Sequence, residues 1–260
     1  MTETEREDDG FRGSLRADLH RCRTARLHLL VPTVLTATLA LGVVAFVVVS
    51  GAVGAPADLP SFVELLTTNS AWLFGSVFAL VGLFVAYPAR STDGHASVTG
   101  TLVSRCILVA LGVVLGSAVV LVVGVTAFES YGFVSFVVFA LLTTATVCAY
   151  VSVGVTLAAL THTDGRLVLS LLSVYVFFVH LWDTALAPTL VAMAVVGDAG
   201  GVVGSPPPFY DTLLALSPYG AYSTLLNTVV GVGDGYVTVV VLALLFWFFV
   251  PPAFAVFFTD

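Results

Sequence analysis

The sequence predicts an all-α, polytopic membrane protein with six transmembrane helices, an N-terminal amphipathic elbow helix, and short re-entrant or interfacial helices before the last span. Three observations predict it. Hydrophobic residues make up 58% of the 260-residue chain and charged residues only 10%, a balance outside the range of water-soluble domains. Several apolar runs approach or exceed the roughly 20 residues needed to cross a hydrocarbon core about 30 Å thick. The cations, all of them arginine, fall only before the first run and between alternate runs, as membrane orientation demands.

Residues 1–27 form a polar, arginine-rich segment ahead of the first apolar run, which starts too late for a cleaved signal peptide. Within it, "FRGSLRADLHRCRTARLHLL" sets Phe11, Leu15, Leu19 and Cys22 on one helical stripe, with Arg12, Arg16 and Arg23 on another face. Such a helix lies in the headgroup layer, apolar side down. The alternative is a basic juxtamembrane segment that only fixes topology.

Residues 28–260 form one membrane domain with spans at about 28–50, 70–88, 104–127, 133–160, 167–190 and 236–258. Pro32 falls in the first turn of span one, where a missing N–H is harmless. Span two is the shortest and must match a thin bilayer or borrow a turn from "ELLTTNS". Gly112 and Gly116 in span three make a G-x-x-x-G that permits close helix approach, within the subunit or across a dimer. Pro251 and Pro252 should bend or unwind the inner part of span six.

Orientation follows from the arginines. Arg6, Arg12, Arg16, Arg21, Arg23 and Arg26 precede span one, Arg90 and Arg105 flank the break after span two, and Arg166 lies between spans four and five. The other connections carry Asp58, Glu64, Glu129, Asp198, Asp211 and Asp234 and no arginine. The positive-inside rule therefore expects a multi-pass protein of the cell membrane with both termini, and residues 87–105, in the cytoplasm.

The break itself, "YPARSTDGHASVTGTLVSR", is either a plain linker or a docking element. On the opposite side, "PPPFYDTLLALSPYGAYSTLLNTVVG" contains two apolar pieces, each too short to span, separated by Ser217 and Pro218. Phe209, Tyr210, Tyr219 and Tyr222 at their ends suit rings near the headgroups, on re-entrant helices or on a surface loop. His180 and Asp183, three residues apart on span five, are read as an anchor or interhelical hydrogen-bond pair, or as residues of a pathway. Two ligands without a third make a poor metal site, so no metal is expected. Cys22, Cys106 and Cys148 are isolated in sequence and suggest neither a disulfide framework nor a thiolate site.

Enzymatic chemistry finds no support. The chain has no lysine, hence no P-loop, and no H-E-x-x-H or G-x-S-x-G; the glycine run from Gly231 to Gly235 reads as a turn. No catalytic residue, cofactor or nucleic-acid partner is expected. A secondary transporter would want ionisable groups near the midplane, which are scarce.

The order of parts is an elbow helix, two spans, a short cytoplasmic break, three spans, paired outer helices and a last span. With "RSTDG", "SR", "VSVGVTLAALTHTDGR", "FFVHLWD" and "LSPYGAYSTLLNTVVG" in their positions, it resembles the membrane subunit of type-2 ABC exporters. It is most similar to archaeal permeases of the nitrous-oxide-reductase maturation system. The net charge of −7 without lysine likewise resembles proteins of salt-loving archaea.

The resemblance implies that residues 89–105 form the coupling helix, with Arg90, Asp93, Gly94, Ser104 and Arg105 as the contact with a separate ABC ATP-binding subunit that holds ATP-Mg. It implies an outer gate at residues 209–231, including Phe209, Tyr210, Pro218, Tyr219, Tyr222 and Asn227. Two copies, or one copy with a sister permease, would enclose the path within the membrane lipid. The alternative, favoured by the few charges at 89–105, is a non-transporting membrane scaffold or assembly factor of the same fold.

Overall fold

The computed structural model describes residues 26–55, 57–66, 71–87, 98–128, 133–161, 163–182, 212–230 and 237–259, with 13, 186 and 188. Every regular element among them is a helix: α1 (Leu27–Val53), α2 (Leu59–Glu64), α3 (Ala71–Phe84), α4 (Val98–Ala127), α5 (Phe133–Leu160), α6 (Asp164–Val176), α7 (Pro218–Val230) and α8 (Val237–Thr259). The chain of α6 continues as a π-helical turn, Phe177–Leu181. Five helices are long and apolar enough to cross a membrane, and α3 is a shorter apolar helix. The elbow helix and Cys22 fall outside the described residues, Gly13 apart.

Local chemistry fixes the ends. Asp58 caps α2 by accepting a hydrogen bond from the Ser61 N–H at 2.8 Å, and Thr163 caps α6 through the Arg166 N–H, each satisfying an amide that has no partner inside its helix. Gly54, in the left-handed conformation, terminates α1. The residues "ELL" belong to α2 and its continuation rather than to span two, which begins at Ala71.

The bundle is built around α5, against which α3, α4, α7 and α8 all pack. α1 lies against α4, and glycine sets how closely. A Cβ on Gly112 would stand 2.7 Å from Pro32 Cα, and one on Gly116 would stand 3.2 Å from Thr36 Cα. The G-x-x-x-G thus serves a contact inside the subunit, where Thr36 also donates to the Gly112 carbonyl. A second close crossing joins α3 to α5, where a Cβ on Gly154 would meet the Leu83 carbonyl oxygen at 2.6 Å. Beyond these contacts, Phe62 of α2 is buried among Phe46, Phe128 and Phe139, which gathers the ends of α1, α4 and the start of α5.

Two expectations are corrected. α8 is not unwound at Pro251 and Pro252 but continues as a helix to Thr259, because a side chain from α5 takes up the carbonyls that the prolines leave free. Cys106 and Cys148, distant in sequence, are free thiols that line the same cavity between α4 and α5, which leaves the reading of no disulfide unchanged. Tyr219 and Tyr222 do not stand at a headgroup surface: Tyr222 is fully buried and Tyr219 packs against the core, since both hydroxyls find partners inside the bundle.

Candidate functional site

Residues 212–230 enter the helix bundle. Ser217 Oγ accepts the Gly220 N–H at 3.0 Å and so starts α7. The Leu216 carbonyl just before it accepts the indole N–H of Trp247 at 2.6 Å, and Trp247 lies ten residues inside α8. Tyr222 Oη and Thr143 Oγ1 are hydrogen-bonded at 3.1 Å, and Thr143 lies ten residues inside α5. The start of α7 is therefore held well inside the bundle, the geometry of a re-entrant helix. Such a segment is tolerated at membrane depth because its polar groups are met by protein.

Around that point the tyrosines form one packed group. Tyr219 donates to the Leu66 carbonyl at 2.7 Å, tying α7 to the end of α2. Its ring lies 5.6 Å from that of Tyr222, which meets Phe78 of α3 edge-on at 6.0 Å. Tyr150 of α5 is buried beneath them. Pro218 opens α7 and Asn227 lies near its end; Phe209 and Tyr210 fall outside the described residues.

Directly below, α8 is joined to α5 at its weakest point. Pro251 and Pro252 have no N–H to offer the carbonyls of Trp247 and Phe248, four residues earlier. Ser152 Oγ sits 2.8 Å from the Trp247 oxygen and 3.0 Å from that of Phe248. Trp247 thus touches both devices, its indole holding the re-entrant segment and its carbonyl held by Ser152.

At the other end of the molecule α4 begins at Val98, six residues before the expected start of span three. Ser104 and Arg105 are both fully buried, Ser104 donating to the Thr101 carbonyl. They are packed within the subunit and present no surface to another chain. Arg90, Asp93 and Gly94 lie outside the described residues.

His180 is exposed on the π turn, and its Nε2 is 3.2 Å from Tyr175 Oη. The π turn brings residues five apart together, which sets His180 beside Tyr175; Asp183, its expected partner, lies outside the described residues. Only 11% of the most apolar stretch of the α6 segment is buried, against 50% of that of α5.

A family model described as ABC-2 family transporter protein matches residues 95–259, which takes in α4 to α8. The chain belongs to the ABC-2 transporter family. It is a membrane-spanning permease component of an ABC transporter, not itself catalytic, of a family that normally works with an ATP-binding subunit. No curated protein matches the permease. No group of three or more metal-ligating side chains occurs among the described residues.

Sequence reasoning missed Ser152, Thr143 and Trp247. For Ser152 a signal was present: prolines at 251 and 252 announce two carbonyls in need of a donor, and a serine in a neighbouring apolar span can supply one.

Proposed function

We propose that the permease is the path-forming subunit of an ATP-driven exporter, working as a homodimer or with a sister permease and driven by two ATP-binding subunits that hold ATP-Mg. The observation that carries this reading is the re-entrant α7 between the last two long helices, tied at once to α2, α5 and α8. An element so connected can report the inward or outward state of the bundle to the outer mouth. Phe209, Tyr210, Pro218, Tyr219, Tyr222 and Asn227 then belong to the outer gate.

The cytoplasmic side is proposed to be the one where α1, α4 and α6 begin, because Arg26, Arg105 and Arg166 lie near those starts. Both termini and residues 88–97 share it. The short polar stretch 88–97, with Arg90, Asp93 and Gly94, is the coupling element on this reading, and Ser104 and Arg105 are support behind it. The uncovered face of α6, with the exposed His180 steadied by Tyr175, faces the seam between two permeases, since an ionisable group at membrane depth seeks protein or water. A source among salt-loving archaea fits the arginine-only, acidic composition, and kinship with nitrous-oxide-reductase maturation permeases rests on the order of the sequence motifs alone.

The experiment is co-purification of the permease with the ATP-binding protein encoded beside it, for wild type, Arg90→Ala and Asp93→Ala. Retention by the wild type and loss in the variants is expected. An ATP-binding protein that never associates would favour the scaffold reading instead.

A further inference from the structure

Between α4, α5 and α8 lies a cavity of about 590 Å³ that opens on the outside of the bundle, lined by Thr99, Ile107 and Ala110 on α4, Thr144 on α5 and Phe248 and Val256 on α8, among others. Its size falls within the range of small-molecule sites, about 300–1,000 Å³. We infer that this cavity is a binding groove for one alkyl chain of a membrane lipid, held from the leaflet where α4 begins and α8 ends.

Polarity excludes the competing occupants first. The lining is almost wholly apolar: Thr144 donates to the Ala140 carbonyl at 2.8 Å, Cys106 and Cys148 are free thiols, and the remaining hydroxyl, that of Thr99, lies at the start of α4. Water needs two to four polar partners to occupy such a site, and a polar ligand needs at least one. An apolar chain needs none.

Dimensions then select the chain. Along α4 the lining runs from Thr99 to Ala110, about 16 Å at 1.5 Å per residue. Along α8 it runs from Phe248 to Val256, about 12 Å by the same rise. One leaflet of a hydrocarbon core about 30 Å thick is about 15 Å deep. Thr99 is the second residue of α4 and Val256 lies three residues before the end of α8, so the groove runs inward from those two helix ends over a length close to the depth of one leaflet. The exposed Thr99 stands at the mouth, where the ester region of a lipid would lie. Its inner wall is the stretch of α8 with the Ser152-held carbonyls, so an occupant rests on the segment least braced by its own helix.

The test uses the full-length permease in nanodiscs of phosphatidylglycerol doped with a phospholipid bearing a diazirine midway along one chain. After illumination, adducts are expected at residues 99–110 and 248–256 well above those on the exposed α1 positions Leu41 and Val48. Filling the groove from either side, with Ala110→Phe or Ala253→Phe, should lower the groove adducts about fivefold or more, whereas Val48→Phe leaves them unchanged. Adducts spread evenly over α1 and the groove, or unaffected by both filling variants, would overturn the inference. A photoreactive phenylalanine at position 107 that cross-links to a second permease rather than to lipid would overturn it too.

Discussion

Ser152 Oγ on α5 lies 2.8 Å from the Trp247 carbonyl oxygen on α8, one of the two carbonyls that Pro251 and Pro252 deprive of a helical partner. The serine stands in for the missing amides, which lets two adjacent prolines persist inside a continuous membrane helix. Ser152→Ala should therefore destabilise the permease by about 1–3 kcal/mol, the cost of leaving a buried acceptor unmet. Replacing both prolines by alanine in that background returns the N–H donors and should recover most of the loss. Thermal unfolding of the single, double and triple variants in detergent measures the coupling.

The α1–α4 contact gives a steric prediction. A methyl group on Gly112 would press on the Pro32 backbone, which has nowhere to move, whereas nothing lies within 4 Å of a Cβ on Gly51. Gly112→Ala should cost about 1–3 kcal/mol, and Gly51→Ala should be neutral or slightly stabilising. Melting temperature and the monodisperse fraction on size exclusion distinguish the two.

Tyrosine hydroxyls at the re-entrant segment are not equivalent. Thr143 keeps its bond to the Phe139 carbonyl, 2.7 Å away, when Tyr222 loses its hydroxyl. The Leu66 carbonyl loses the hydroxyl that meets it at 2.7 Å when Tyr219 does. Tyr219→Phe should accordingly cost about 1–2 kcal/mol and Tyr222→Phe about half as much. Permease-stimulated ATP hydrolysis should fall more in Tyr219→Phe, because α7 is then released from α2; equal losses would mean that the α2 tie carries no signal.

Hydrophobic run length and arginine placement made the spans legible, since the cost of an unmet polar group in lipid leaves a helix as the only open solution. Four of the six expected spans, 28–50, 70–88, 133–160 and 236–258, lie close to their helices on that ground. The edges that moved did so for local reasons: α4 reaches back to Val98 because Ser104 and Arg105 are sheltered by the fold, which no hydropathy window registers. Inward-facing tyrosines were invisible for a related reason, as an aromatic at a helix end suits a headgroup surface and a buried hydroxyl partner equally well. That Cys106 and Cys148 line one cavity depends on the register between α4 and α5, which one sequence does not specify.

Arg105, one of the expected coupling residues, has a role in the fold that can be separated by mutation from contact with a partner. Arg105 is enclosed, and its long side chain fills volume as well as carrying charge. Arg105→Ala should therefore lower the stability of the isolated permease, on the order of 3 kcal/mol. Arg90→Ala and Asp93→Ala, in the polar stretch that the proposed function assigns to partner contact, should on that reading leave its melting temperature within about 1 °C. In the reconstituted complex the order reverses in kind: the latter two should weaken association with the ATP-binding subunit, and Arg105→Lys, which keeps the charge and most of the stem, should not. Melting curves of the permease alone, set beside pull-down of the ATP-binding subunit, separate a residue that supports the coupling element from one that touches the partner.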